Sequence, residues 1–102
     1  RGETFLLAIK DREIVGCGAL IVEDKERGYG RIVRMSVKKE NRRQGIGQLI
    51  LQHLQIAAKQ RQFSKLVLET TQTWDEAIAF YQANGYQIIG HWDGDTHLEK
   101  IL

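Results

Sequence analysis

Apolar residues in the first third of the chain come in short blocks separated by charged turns. Residues 4–9 (TFLLAI) form one such block, which predicts a strand, and the polar run 10–13 predicts a turn after it. Residues 14–22 (IVGCGALIV) are almost continuously apolar, as in a strand buried on both faces. Gly16 and Gly18 within that block allow a bend or the close approach of a neighbouring element. A charged loop over 23–30 leads to a third strand at 31–38, where strict alternation puts Val33, Met35 and Val37 on one face and Arg34, Ser36 and Lys38 on the other. Three strands joined by short connections predict an antiparallel meander.

The period then changes. Ile46, Leu49, Ile50, Leu54, Ala57 and Ala58 follow helical spacing and predict a helix over 45–61, with Lys59 and Arg61 at the negative end of its dipole. Residues 65–69 (KLVLE) predict a strand that returns parallel to the third through a right-handed crossover. The stretch Thr73-Trp74-Asp75-Glu76 fits a capping box that opens a second helix carrying Ala77, Phe80 and Tyr81 and stopping near Asn84-Gly85. Two last strands are expected at 86–92 and 96–102, turned by Asp93-Gly94. The predicted order is β-β-β-α-β-α-β-β, an α/β (α+β) domain with a mixed, largely antiparallel sheet, and nothing divides residues 1–102 into more than one domain.

Composition narrows the function classes. Among 102 residues, 42% are hydrophobic and 27% charged, ordinary values for a globular domain, and no apolar run reaches the roughly 20 residues needed to span a bilayer. Cys17 is the single cysteine, which excludes an internal disulfide framework and a multi-cysteine zinc site. A formal charge of +2 is too small to indicate a nucleic-acid binder, and the basic residues Lys38, Lys39, Arg42 and Arg43 have no aromatic platform interleaved with them. The first residue is Arg1 and no leader pattern is recognisable, so the expectation is a cytoplasmic protein that is either processed or part of a longer chain.

Residues 38–47 (KKENRRQGIG) hold the chemistry. No Ser, Thr or Asp adjoins Gly45 to cap the coming helix, so its first N–H groups lack a side-chain partner. Arg42 and Arg43 lie at the positive end of the helix dipole, where each cation is disfavoured by about 0.3–1 kcal/mol. Gly45 and Gly47 keep side chains away from the turn. A phosphate group would accept the free N–H bonds, neutralise the arginines and need close backbone approach, so one ligand accounts for all three features. The blander account is a tight turn with solvated arginines. A dinucleotide fingerprint is excluded because Ile50 stands at its third glycine position, and no Gly-Lys-Ser/Thr triplet is present for a Walker loop.

Arg42-Arg43-Gln44-Gly45-Ile46-Gly47 resembles the R/Q-x-x-G-x-G/A signature of the GNAT acyltransferases. The strand RIVRMSVKK before it and the segment 77–86 (AIAFYQANGY) are similar to that family's fourth strand and to its A-x-x-x-Y-x-x-x-G-F/Y helix, so the likeness runs from about Phe5 to Leu102. The resemblance implies a GNAT-like acyl-CoA N-acyltransferase fold and an enzyme that moves an acetyl group from acetyl-CoA directly to a primary amine, on a small molecule or a peptide, without a metal. It implies that Arg42, Arg43, Gln44, Gly45, Ile46, Gly47 and Gln48 hold the pyrophosphate, that Met35, Ser36 and Val37 pair with the pantetheine arm, and that Tyr81 protonates the departing thiolate. Glu69, at the end of its strand, is the expected base, directly or through water; a solvated strand-end carboxylate is the plainer alternative. His91, His97 and His53 are expected at the surface or in structural roles, and Cys17 as a small apolar residue.

Two features depart from the family pattern. Trp74 occupies the position, seven before the tyrosine, where many members carry a cofactor-contacting asparagine. The strand and two helices that usually open the domain have no counterpart here, which leaves a non-catalytic acyl-CoA-binding or interaction module as the alternative. The same gap should bare one face of the sheet. The expected cover is a further part of a longer polypeptide or a second copy in a two-fold dimer.

Overall fold

The computed structural model describes residues 3–102. Strands β1 (Glu3–Lys10), β2 (Glu13–Asp24) and β3 (Tyr29–Val37) are followed by a 3-10 turn (Lys39–Asn41), helix α1 (Ile46–Gln60), strand β4 (Lys65–Thr71), helix α2 (Asp75–Ala83), and strands β5 (Gln87–Trp92) and β6 (Asp95–Ile101). The element order is the expected one. All six strands join one sheet in the order β1-β2-β3-β4-β6-β5, and only β3 and β4 run parallel.

One face of the sheet carries the core. Leu20, Ile32, Leu66, Leu68 and Leu98 from the strands meet Ile50, Leu51, Leu54 and Ala58 of α1 and Tyr81 of α2. Gly18 lets α1 lie this close: a Cβ there would come within 2.6 Å of Met35 Sδ and 2.8 Å of Ile50 Cγ2. On β1 the alternation is clean. Leu6 and Ala8 pack against the core, while Phe5, Leu7 and Ile9 are exposed on the opposite face.

Alternation fails on β3. Cys17 pairs with Ser36, but Ala19 pairs with Val33, so Gly18 is opposed by both Arg34 and Met35. Arg34 takes a left-handed φ of 58°, and its carbonyl accepts a hydrogen bond from Cys17 Sγ at 3.2 Å. This bulge reverses the facing of half the strand. Val33 shares the face of Ala19, away from α1, whereas Met35 and Val37 lie toward α1 with Gly18 and Gly16. The expectation that Val33, Met35 and Val37 share a face is therefore corrected.

The capping box at α2 is also corrected. Trp74 is the N-cap and no side chain caps the helix. Glu76, instead of reaching back to Thr73, pairs with Arg43 at 3.2 Å. No helix among the described residues is long and apolar enough to cross a membrane.

Candidate functional site

Strands β3 and β4 stay together only briefly. Their pairing covers Tyr29–Lys65, Gly30–Leu66 and Arg31–Val67 and then ends. Beyond it the two strands part, and a cleft of about 790 Å³ opens between Ile32–Val37 on one side and Leu68–Thr71 on the other. Its far wall comes from the start of α1 and from Trp74, Glu76, Ala77, Phe80 and Tyr81. The bulge at Arg34 supplies the added twist that turns β3 away from β4.

Parting leaves backbone groups without a strand partner. Lys38 N–H donates to Val15 O at 2.8 Å, so by the two-residue alternation of a ladder the amide groups of Val37, and of Met35 before it, point away from β2 and into the cleft. Val37 O is taken by Arg42 Nε at 3.2 Å, while its N–H remains available. Ser36 lines the same wall.

The mouth of α1 forms the second component. Gly45 is the N-cap, with φ of 83° and no side-chain cap. Leu49 N–H is the first to bond within the helix, to Gly45 O at 3.0 Å, which leaves the N–H groups of Ile46, Gly47 and Gln48 free. A Cβ on Gly45 would meet nothing within 4 Å, and one on Gly47 would only touch Val37 and Phe80, at 3.6 and 3.8 Å, so both glycines keep open space at the helix mouth. Free N–H groups at the positive end of the dipole are chemically suited to an anion. Arg42 lies over the Trp74 ring, 5.6 Å from its centre, and Arg43 reaches Glu76 across the cleft. Both arginines are exposed and can turn toward an anion at small cost.

Not every expected side chain joins the site. Gln44 does not line the cleft; its Oε1 accepts from Lys10 Nζ at 3.1 Å. The Gln48 amide is committed to Asn84, leaving Gln48 its backbone N–H for an anion. Met35, Ser36, Val37, Arg42, Arg43, Gly45, Ile46 and Gly47 all line the cleft, as do Glu69 and Tyr81.

Tyr81 is 7% exposed and packs edge-on against Phe80 and Tyr86, with ring centres 5.1 and 5.7 Å away. Its hydroxyl makes no hydrogen bond among the described residues and is not sealed from solvent, and the residue lines the cleft. Burial pushes its pKa up to about 12, so the group keeps its proton throughout the neutral range. Glu69 is bound through Oε1 to Arg31, which also bonds Glu23 at 2.7 Å. That pair holds the Glu23 carboxyl below its ordinary range and leaves Glu69 one free oxygen, Oε2.

Residues 95 and 70–71 also line the cleft and were missed in the sequence. Their only signal is the pairing of β4 with β6, which brings Thr71 opposite Asp95 and cannot be read from local pattern. His91 bonds Thr96 at 2.9 Å, and His97 stacks on Trp92. No group of three or more metal-ligating side chains occurs among the described residues.

The comparisons agree with this geometry. Residues 1–88 match the family described as an acetyltransferase (GNAT) domain. An IAA acetyltransferase of Azospirillum brasilense is 37% identical over 82 residues, 80% of this chain and 53% of that protein. The crystal structure of a GNAT-family acetyltransferase from Staphylococcus aureus superposes with a TM-score of 0.88 at 26% identity, over 99% of this chain and 69% of that one. The PaiA N-acetyltransferase of Thermoplasma acidophilum, crystallised with coenzyme A, shares the fold at a TM-score of 0.91 and 21% identity, over 99% of this chain and 62% of that one. The chain thus spans about half the length of the curated relative at 53% coverage.

Proposed function

The chain belongs to the GNAT acetyltransferase family, and from that premise we propose that it transfers an acetyl group from acetyl-CoA directly to a primary amine. The observation that carries this reading is the cleft itself. It joins an uncapped helix mouth to a splayed strand with free amides, and a protonated, unpartnered tyrosine lines the same space.

The residues fit the co-substrate. Free N–H groups of Ile46, Gly47 and Gln48, with Arg42 and Arg43 beside them, suit a pyrophosphate. The unpaired edge of β3 at Met35 and Val37 suits the amides of a pantetheine arm, added as a further strand would be. When bound, acetyl-CoA supplies the activated thioester; the chain supplies position and protons.

Val37 N–H is the donor best placed to meet the thioester oxygen as negative charge builds there. The amine nitrogen attacks the carbonyl carbon, the C–N bond forms and the C–S bond breaks. The nitrogen gives up a proton, for which the free Oε2 of Glu69 is the candidate acceptor, directly or through a water. Tyr81 Oη gives its proton to the departing sulfur and is later reprotonated from solvent. No metal enters this scheme.

A second reading, a non-catalytic acyl-CoA-binding module, draws on one observation: Phe5, Leu7 and Ile9 lie bare on the face opposite α1. In the enzymatic reading, a second copy of the chain or a further segment of polypeptide covers that face. The deciding experiment incubates the protein with acetyl-CoA and a panel of primary amines and follows both free thiol and acetylated amine. Equal release of the two supports transfer. Binding of acetyl-CoA with no acetylated amine from any acceptor refutes it in favour of the module.

A further inference from the structure

Six charged side chains line the cleft: Arg34, Arg42, Arg43, Glu69, Glu76 and Asp95. Five of them have partners. Arg34 pairs with Glu3, Arg43 with Glu76 and Glu69 with Arg31, and Arg42 is held by Val37 O and the Trp74 ring. Asp95 alone has neither a counter-ion nor a side-chain hydrogen bond among the described residues, although it is half-buried. A partly desolvated carboxylate without a partner favours whatever cation can reach it.

The neighbouring residues on the same face of the sheet are aromatic as well as acidic. Across the sheet, Thr71, Asp95 and Trp92 form one row, and Glu69, His97 and Gly90 form the next. The Trp92 ring stacks on His97, with centres 3.7 Å apart and planes 7° from parallel. Gly90 makes this possible, because a Cβ there would stand 2.4 Å from Trp92 Cζ3. Trp92 is the cross-strand partner of Asp95, so the stacked pair neighbours the carboxylate just outside the cleft lining, and aromatic rings attract ammonium groups. The cleft is also lined by Tyr81, a residue more than nine-tenths buried whose hydroxyl makes no hydrogen bond among the described residues.

We propose that Asp95, backed by the Trp92–His97 stack, selects the acceptor by binding a second positive charge on it, so that the substrates are diamines or longer cationic amines. This rests on the acetyl-transfer reading above. The cofactor end of the cleft is cationic at Arg42 and Arg43, and the β6 end is anionic. An amine ending in a carboxylate meets repulsion there, and one ending in an alkyl group leaves Asp95 unpaired.

Three acceptors of equal carbon count separate these cases: 1,4-diaminobutane, n-butylamine and 4-aminobutyrate. Acetylation of any of them tests the transfer reading. The order of kcat/KM among them tests Asp95, with 1,4-diaminobutane expected about tenfold above n-butylamine and 4-aminobutyrate lowest. Asp95→Asn should raise KM for the diamine and bring the three values together, and Asp95→Lys should reverse the order. Should none be acetylated, calorimetric titration of 1,4-diaminobutane and n-butylamine into the protein with coenzyme A reads the same preference without turnover. Equal efficiencies or affinities in the wild type, or a diamine preference that survives Asp95→Asn in protein that still binds coenzyme A, overturns the proposal.

Discussion

Gln48 and Asn84 exchange two hydrogen bonds, Gln48 Nε2 to Asn84 Oδ1 at 2.7 Å and Asn84 Nδ2 to Gln48 Oε1 at 3.0 Å. One residue belongs to the first turn of α1 and the other caps the end of α2. Asn84 Nδ2 also donates to Phe80 O at 2.9 Å, and Lys100 Nζ donates to Asn84 O at 2.8 Å. The uncapped mouth of α1 and the helix that carries Tyr81 are therefore fastened together by a half-buried amide pair, in addition to the exposed Arg43–Glu76 ion pair and independently of the hydrophobic core.

Breaking this pair should loosen the two helices as a unit. A net hydrogen bond contributes about 1 kcal/mol, and a half-buried amide left unpaired costs about 1–3 kcal/mol more. Gln48→Ala and Asn84→Ala should each lower stability by about 1–3 kcal/mol, and the double variant by clearly less than their sum. Urea titration of the four proteins checks this; additive losses would mean that the two amides act separately.

Gly45 and Gly47 differ in what they do. Gly45 is required by its backbone, since φ is 83°, so Gly45→Ala should destabilise the apo protein by about 1 kcal/mol. Gly47 is helical and open, so Gly47→Val should fold but fill the anion site. A ligand at about 100 times its Kd adds about 2.7 kcal/mol of stability. Acetyl-CoA should therefore raise the Tm of the wild type and of Gly45→Ala, and leave Gly47→Val unmoved.

Tyr81→Phe should bind acetyl-CoA normally and lose turnover by about 10²–10⁴-fold. The same residue makes a prediction at high pH. Burial raises its folded pKa to about 12, above the ordinary 10. Between those values the unfolded chain has lost the proton and the folded chain has kept it, so stability falls as pH rises through pH 10–12, by on the order of 2–3 kcal/mol from this group. Below pH 10 the contribution is intact. Tyr86, also raised by burial, adds to the same slope, so Tyr81→Phe should flatten the loss without abolishing it. Thermal melts from pH 9 to 12 decide the point.

The order of elements was readable because it rests on local signals: the 3.6-residue period of Ile46 to Ala58, and short apolar blocks bounded by charges such as Phe5 to Ile9. The helix mouth was readable because an absent cap and two glycines are local facts. The bulge was not. Nothing in RIVRMSV distinguishes Arg34, which reaches φ of 58° without being glycine, and one extra residue there reversed the facing of Val33. Glu76 met a similar fate. Its spacing from Thr73 fits a capping box, but Arg43, brought near by the crossover, competes for the carboxylate. Asp95 depends on pairing across 24 residues of sequence, from Thr71, and has no local mark at all.

The bare face offers the last prediction. Phe5, Ala19 and Val33 form one row across β1, β2 and β3, and Leu7, Cys17 and Ser36 the next, all facing away from α1. Phe5 is 52% and Leu7 47% exposed. A contiguous apolar row of this kind marks a contact surface. Leu7→Ser separates the arrangements, because an exposed site tolerates the change within about 0.5 kcal/mol, whereas a covered one loses about 1.5–3 kcal/mol. If a second copy provides the cover, Tm should rise with protein concentration and Leu7→Ser should remove that dependence. If another segment of the same polypeptide provides it, Tm should be independent of concentration and still fall in the variant. A neutral Leu7→Ser in a protein that scatters light as a monomer would show that the face stays open to water.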